Sequence, residues 1–283
     1  MEKRAYILAQ IKDYKMIPKK IHYCWFGGGE KTAFIKKCIS TWEKYLPDYD
    51  IICWSEENFD VNSNQFVKQA YLQKKWAFVS DYARLYALGK EGGIYMDTDV
   101  KLLKAIEENW LSYDFFSSIE YLPDMYNEHK HLLDSNFQLI NTNERFHGLG
   151  ILSAFMASVP NHKYILDCIK MYDTIEFETG NNVVDFNDFV IGSYITKCAE
   201  KYGFIYQDKA QTLKENMLIL EKNVLVGNTM FLDENSHALH LVNGSWIENR
   251  TAVESFLHNV KNNFPRLSPI VTLVHKLYMK IKK

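Results

Sequence analysis

The chain has 283 residues, 47% hydrophobic and 24% charged, with a formal net charge of −2. That balance excludes a disordered chain, and the length suffices to bury a core without disulfide or metal staples. The absence of a basic excess argues against nucleic acid as a partner. Five cysteines (Cys24, Cys38, Cys53, Cys168 and Cys198) make no Cys-x-x-Cys pair and read as buried free thiols in a reducing compartment. Residues 1–16 form a charged leader without the apolar core of a signal peptide, and no stretch has the apolar length of a membrane span. A cytoplasmic protein is expected.

Residues 17–262 read as one α/β domain. Ile21, Tyr23 and Trp25 alternate with His22, Cys24 and Phe26 before Gly27-Gly28-Gly29, the pattern of a strand covered on both faces. The following Glu30-Lys31-Thr32 lacks the spacing of a phosphate-binding P-loop. Phe34, Cys38, Ile39, Trp42 and Leu46 recur at helical spacing up to Pro47, and Asp50–Trp54 is a second buried strand, so a parallel strand–helix–strand unit opens the domain. Helices are predicted over 64–73 and 75–90, the second an amphipathic one leading through Gly92-Gly93 into a short apolar strand. Leu102–Trp110 is expected to be helical and Asp114–Glu120 a strand. The stretch from Tyr121 to Arg145 is polar and irregular, as long functional loops are. A helix is predicted from Pro160 to Tyr172, a loop at Asn181-Asn182, a helix over Asn187–Lys201, a hairpin of Met217–Leu220 with Val224–Val226, and a helix near Ala252–Asn262. Strands alternating with helices imply an open, mostly parallel sheet with helices on both faces, whose ligands bind outside the carboxyl ends of the strands. Gly27, Trp54, Asp97 and Glu120 all fall at such ends.

Asp97 and Asp99, at the end of SDYARLYALGKEGGIYMDTDV, leave an extended backbone on the same side. Two adjacent carboxylates repel, and a hard divalent cation such as Mg²⁺ or Mn²⁺, shared with substrate phosphates, relieves that repulsion. A metal–nucleotide site is the resulting expectation. An isolated Asp-x-Asp is common in solvated turns; the helix and strand before it make this one distinctive.

The segments IPKKIHYCWFGGG, PDYDIICWSEEN, SDYARLYALGKEGGIYMDTDV, SVPNH and HALHLVNGSW together resemble glycosyltransferase family 32 and, more distantly, the glucosyltransferase domains of large clostridial toxins. The resemblance implies a GT-A fold, a nucleotide-sugar donor, most simply a UDP-sugar, a divalent metal and retention of anomeric configuration. It assigns Trp25 to stacking on the donor base, Asp81 and Arg84 to the donor sugar's hydroxyls, Asp97 to ribose, sugar and metal, and Asp99 to direct metal ligation. His240 aligns with the first histidine of a metal-adjacent His-His pair, and Ser245 and Trp246 with a pair closing over the diphosphate. Leu241 stands where the second histidine is usual, which leaves the third protein ligand open. The implied reaction is transfer of the sugar to a saccharide acceptor, as in capsule or lipopolysaccharide synthesis. A nucleotide-sugar phosphohydrolase and a catalytically silent sugar-binding protein are the alternatives.

Plainer readings stand beside these. Trp25 suits a core, Asp81 and Arg84 an ordinary i,i+3 pair. His237 and His240 share a helix face in zinc-like fashion, but no third soft ligand accompanies them. In residues 263–283, Ile270, Leu273, Val274, Leu277 and Ile281 form one stripe with Lys276, Lys280, Lys282 and Lys283 largely opposite. Such a basic amphipathic helix fits either the inner membrane surface, where a lipid-linked acceptor resides, or the domain's own surface.

Overall fold

The computed structural model describes residues 16–175 and 191–242, with isolated positions between 253 and 278. The chain opens with β1 (Lys20–Cys24), α1 (Ala33–Tyr45, capped by the Thr32 hydroxyl) and β2 (Asp50–Trp54). Next come α2 (Gln65–Leu72, capped by Asn64), α3 (Trp76–Glu91) and β3 (Gly93–Met96). Short β4 (Val100–Leu102), β5 (Phe115–Tyr121) and α4 (Pro123–His129) follow, then β6 (Leu149–Ile151), β7 (Phe155–Ser158) and α5 (Lys163–Met171). The described part is completed by α6 (Ile191–Ala199), β8 (Gln211–Leu213), β9 (Met217–Leu220), β10 (Leu225–Val226) and β11 (Ala238–His240).

The main sheet has the order β2-β1-β3-β7-β5-β9-β8, with β6 on β5. β1 runs parallel to β2 and β3, β7 is antiparallel to β3 and β5, and β5 runs parallel to β9. β1, β2, β3, β5 and β9 thus share one direction, and their carboxyl ends share one edge. This is the mixed α/β, mostly parallel sheet expected.

Side chains alternate between two cores as the pleat requires. Ile21, Tyr23, Ile94 and Met96 pack with Trp42 and Trp110 on one face. Cys24, Tyr95 and Phe115 pack with α3 and α5 on the other. Helix α3 is buried on nearly every side, by β1, α2 and α5, so its amphipathic reading gives way to that of a core helix. It ends at Gly92, whose φ of +64° and ψ of −167° only glycine adopts freely. A Cβ there would meet Pro160 Cδ at 2.6 Å. His22 receives the Trp54 indole N–H at Nδ1 (3.0 Å) and donates from Nε2 to the Gly92 carbonyl (2.7 Å). Burial lowers its pKa, keeping it neutral. It is a structural histidine that locks the turn before β3.

Three expectations need correction. The predicted helix at Leu102–Trp110 is absent: β4 pairs antiparallel with β11, and Leu103 N donates to the His237 carbonyl (2.8 Å), which holds the chain extended. The predicted hairpin is not one. β9 pairs with β5 and β8 in the main sheet, whereas β10 runs parallel to β11 in a three-stranded sheet with β4. The 121–145 stretch contains α4, opened by Pro123 at its first turn; His129 ends it, with its Nδ1 on the Met125 carbonyl (2.8 Å). Other expectations held: α5 follows Pro160, and all five cysteines are free.

Of the C-terminal segment, Ile270, Val271, Leu273 and Val274 lie in helix, Val271 buried and Ile270, Leu273 and Val274 exposed. Among the described residues no helix is long and apolar enough to cross a membrane. Most of the leader, and Asn181, Asn182, Ser245 and Trp246, lie outside the described residues.

Candidate active site

The site is built at the carboxyl edge of the main sheet, where β3 gives way to Asp97-Thr98-Asp99. Both sides of the turn are pinned. Asp97 N donates to the Ala154 carbonyl (2.9 Å), and Leu241 N to the Asp99 carbonyl (3.1 Å). Beyond it, β4 is held to α1: Trp42 Nε1 donates to the Val100 carbonyl (2.8 Å) and Leu102 N to Thr41 Oγ1 (2.9 Å). The antiparallel register sets His240 opposite Val100, which brings its ring beside Asp99.

Asp97, Asp99 and His240 each offer a ligand atom, all within 4.8 Å of one another. His240 Nε2 lies 3.3 Å from Asp99 Oδ1, and its buried Nδ1 has no hydrogen-bond partner among the described residues. Burial acts against charge on this ring, but Asp99, then Asp97 and Glu120, outweigh it and push its pKa up to about 9. The pocket attracts positive charge. Two carboxylates, an imidazole and an orphaned ring nitrogen suit a divalent ion of the Mn²⁺ or Mg²⁺ kind.

Arg84 stands behind the aspartates. Nη2 reaches Asp81 Oδ1 at 2.7 Å and Asp97 Oδ1 at 3.4 Å, Nη1 donates to the Ser153 carbonyl (3.0 Å), and Nε to the Ser80 carbonyl (3.3 Å). Its guanidinium lies 4.8 Å from the Tyr95 ring centre, and the Tyr95 hydroxyl donates to Asp97 Oδ1 (2.7 Å). Burial disfavours charge on Arg84, but Asp97, Tyr95 and Asp81 more than offset it and raise its pKa further. Arg84 and Asp81 are thus one i,i+3 pair on α3 whose orientation also fixes Asp97.

Asp81 is pushed up to about 6, chiefly by burial and further by Asp97, against the pull of Arg84. The fold therefore prefers its acid form. Its contribution to stability is full below pH ~4 and is lost as pH rises to about 6. A two-unit shift corresponds to roughly 3 kcal/mol at most. Asp81→Asn is expected to melt above the wild type at pH 7.5 in metal-free buffer, with the gap closing toward pH 4.5. A lower melting temperature at pH 7.5 contradicts this.

Trp25 follows β1, next to β3 in the sheet, with its backbone N–H on the Trp54 carbonyl (2.8 Å). Its ring is half-buried, its Nε1 donates to the Gly29 carbonyl (2.6 Å), and Lys31 Nζ lies 5.5 Å from the ring centre. Gly27 allows the loop to close: at φ +86° its Cβ would lie 2.7 Å from the Trp76 ring. Leu241, where a second histidine was open, is buried against Cys38, Val226 and Leu239 and is no ligand. His237 does not join His240 on a helix. It hydrogen-bonds the Ala105 carbonyl through Nδ1 (2.6 Å) and packs edge-on to Trp110 (4.8 Å).

Glu120, at the end of β5, is the member that sequence reasoning placed at the right edge without giving it a role. Burial raises its pKa, and it interacts electrostatically with His240, Asp97 and Arg84. Its strand-end position was the only signal.

Residues 33–116 match the family described as glycosyltransferase sugar-binding region containing DXD motif. None of the curated proteins matches the chain. Similar solved structures include the PaToxG glycosyltransferase, at 18% identity and TM-score 0.41, over 71% of this chain and 77% of that one. Another is the galactosyltransferase LgtC in complex with donor and acceptor sugar analogs, at 11% identity and TM-score 0.44, over 86% and 95%. The matched region holds Asp81, Arg84, Asp97 and Asp99 and every element from α1 to β4, and it is similar to glycosyltransferase sugar-binding regions that contain an Asp-x-Asp motif.

Proposed function

We propose that the protein is a metal-dependent, retaining glycosyltransferase that moves a sugar from a UDP-sugar to a saccharide acceptor in surface polysaccharide synthesis. The observation that carries this reading is the convergence of Asp97, Asp99 and His240 within 4.8 Å, two of them inside the matched family region.

Asp99, Asp97 and His240 would hold the Mn²⁺ or Mg²⁺. When bound, such an ion neutralises charge developing on the leaving diphosphate, the largest electrostatic demand of the reaction. Asp81 would accept hydrogen bonds from the donor sugar's hydroxyls. Arg84, with most of its N–H donors already on Ser80, Ser153, Asp81 and Asp97, acts mainly by holding both carboxylates in place. Trp25 would stack on the uracil from the end of β1. Ser245 and Trp246 are proposed to close over the diphosphate and exclude water. Retention is read as attack by the acceptor hydroxyl on the face the diphosphate leaves. The exposed Ile270, Leu273 and Val274 support peripheral contact of segment 263–283 with the inner membrane surface, near a lipid-linked acceptor.

The test is product analysis of UDP-sugars incubated with Mn²⁺, with and without saccharide acceptors. Acceptor-dependent glycoside formation is expected. Full donor turnover without acceptor points to a phosphohydrolase, and binding without UDP release to a silent sugar-binding protein. Trp25→Ala is expected to weaken UDP binding about tenfold, since a base–aromatic stack is worth roughly 1–3 kcal/mol. Calorimetry with UDP and Mn²⁺ reads it, and an unchanged Kd returns Trp25 to a purely structural role.

A further inference from the structure

A recess of about 450 Å³ opens past the carboxyl end of β9, within the roughly 300–1,000 Å³ range of small-molecule sites. Because β9 runs parallel to β5, the recess lies on the same sheet edge as Trp25 and Asp97, beyond the reversed strand β7. Its wall comes from Asp208, from Glu221 to Asn223 and from Met230 to Asp233, all outside the matched region 33–116. Packing ties it to the metal-ligand cluster. Phe231 and Leu232 sit against Val226, Leu239 and Leu241, and the last two flank His240.

The wall is cross-braced by its own hydrogen bonds. Asn223 Nδ2 donates to Asp233 Oδ2 (2.7 Å), Asn235 N to Asp233 Oδ1 (2.8 Å) and Ser236 Oγ to the Asn223 carbonyl (2.7 Å). The bonds to Asp233, that from Asn223 foremost, lower its pKa and keep it ionised as an acceptor. Phe231 stacks on Tyr121, with ring centres 5.7 Å apart and 29° between the planes, and Lys222 Nζ lies 4.9 Å from the Phe231 ring centre. Met230 is exposed beside it.

The charges that line the recess are Asp208, Glu221 and Asp233 against Lys222, which is paired with Asp208; Lys104 also acts on Asp233. These carboxylates do not converge on a metal. Among the described residues the one group able to hold an ion is Asp97, Asp99 and His240. The recess therefore presents an apolar strip, Met230 and Phe231, bordered by oxygen acceptors. A saccharide matches both parts. Its C–H faces lie on aromatic and thioether surface, and its hydroxyls donate to carboxylates, the stronger kind of hydrogen bond.

We propose that this recess is an outer acceptor subsite, holding a sugar unit next to the ring that is glycosylated, so that the enzyme takes acceptors of at least two rings. This rests on the glycosyltransferase reading above and adds the acceptor's size and the place where its second ring binds.

The experiment uses the full chain with Mn²⁺ and UDP, its methionine methyl groups isotope-labelled for NMR. The probes are methyl glycosides of glucose, galactose and N-acetylglucosamine, and of the disaccharides lactose, cellobiose and chitobiose. All are uncharged, so neither the bound ion nor the charges of the recess decide their binding. The Met230 methyl signal, assigned through Met230→Leu, reads occupancy of the recess, and calorimetry reads affinity for saccharide and for UDP. At least one disaccharide is expected to shift that signal saturably and to bind at least fivefold tighter than its component monosaccharides. Glu221→Ala and Met230→Ser, both at exposed positions, should each weaken the disaccharide at least fivefold and leave the Kd for UDP within twofold. The inference is overturned if no disaccharide shifts the Met230 signal, if monosaccharides bind as tightly, or if both variants bind the disaccharide as the wild type does. A wild type that binds a disaccharide in this recess but not UDP with Mn²⁺ defeats the donor reading instead, so the two failures are distinguishable.

Discussion

Asp99→Ala is expected to lose Mn²⁺-dependent UDP release by at least ~100-fold, the scale seen when a transition-state charge stabiliser is removed. The fold should survive. Asp99 sits in a turn whose hydrogen bonds run through backbone atoms, from Leu241 N to its carbonyl and from Asp97 N to Ala154. Its side chain lies 3.3 Å from His240 Nε2, and loss of that contact lets the histidine revert toward its neutral form. The melting temperature should move by no more than a few degrees, about 1 kcal/mol for a chain of this size. A stopped UDP-release assay and a thermal melt on the same preparation check both halves. Near-normal turnover would remove the metal site from the account.

Arg84→Ala carries the largest expected loss of stability. The pair it forms with Asp81 is almost out of water: the side chains of Arg84 and Asp81 are 6% and 11% exposed. Removing the guanidinium leaves Asp81 and Asp97 repelling each other and takes the side-chain donor from the Ser153 carbonyl. Stranding a buried charge costs about 3–5 kcal/mol. Lys163 and Glu215 form a pair of almost the same length, 2.8 Å, but at 70% and 39% exposure, and Lys163→Ala should cost under ~1 kcal/mol. Urea denaturation of the two variants separates the cases. Arg84→Lys should fall between them, because one ammonium cannot serve four directions at once. Equal losses for Arg84→Ala and Lys163→Ala would mean that water reaches the Arg84 cluster.

What could be read ahead of the structure follows the range of the signal. Asp97 and Asp99 could be paired from their closeness in sequence, although the chain turns there, with Val100 N on the Asp97 carbonyl (2.9 Å), rather than running extended as expected. β1, α1, β2 and α3 were legible because their apolar periods are uninterrupted. Only the family resemblance placed His240 beside the metal. Its place beside Asp99 depends on β4 pairing with β11, elements some 135 residues apart, and no local pattern encodes that register. The segment between Met217–Leu220 and Val224–Val226 read as a hairpin turn, yet β9 finds β5 and β8 while Lys222 settles over the Tyr121 and Phe231 rings. Tertiary pairing overrode a correct turn signal. Spacing alone made Asp81 and Arg84 an ordinary i,i+3 pair, and the resemblance gave them the donor sugar; the burial of Arg84 comes from the sheet beneath and from the Ser153 loop, which the helix's own sequence does not display. Glu120 stood at a strand end with nothing local to distinguish it from any other glutamate.

The central claim is that Asp97, Asp99 and His240 hold a divalent ion to which a nucleoside diphosphate binds. Calorimetric titration of UDP into the full chain, once with Mn²⁺ and once with a chelator, tests it most directly. Saturable binding with Mn²⁺, lost in the chelator and in Asp99→Ala, is the predicted result. Equal UDP affinity in chelator, or in Asp99→Ala with Mn²⁺ present, would contradict it.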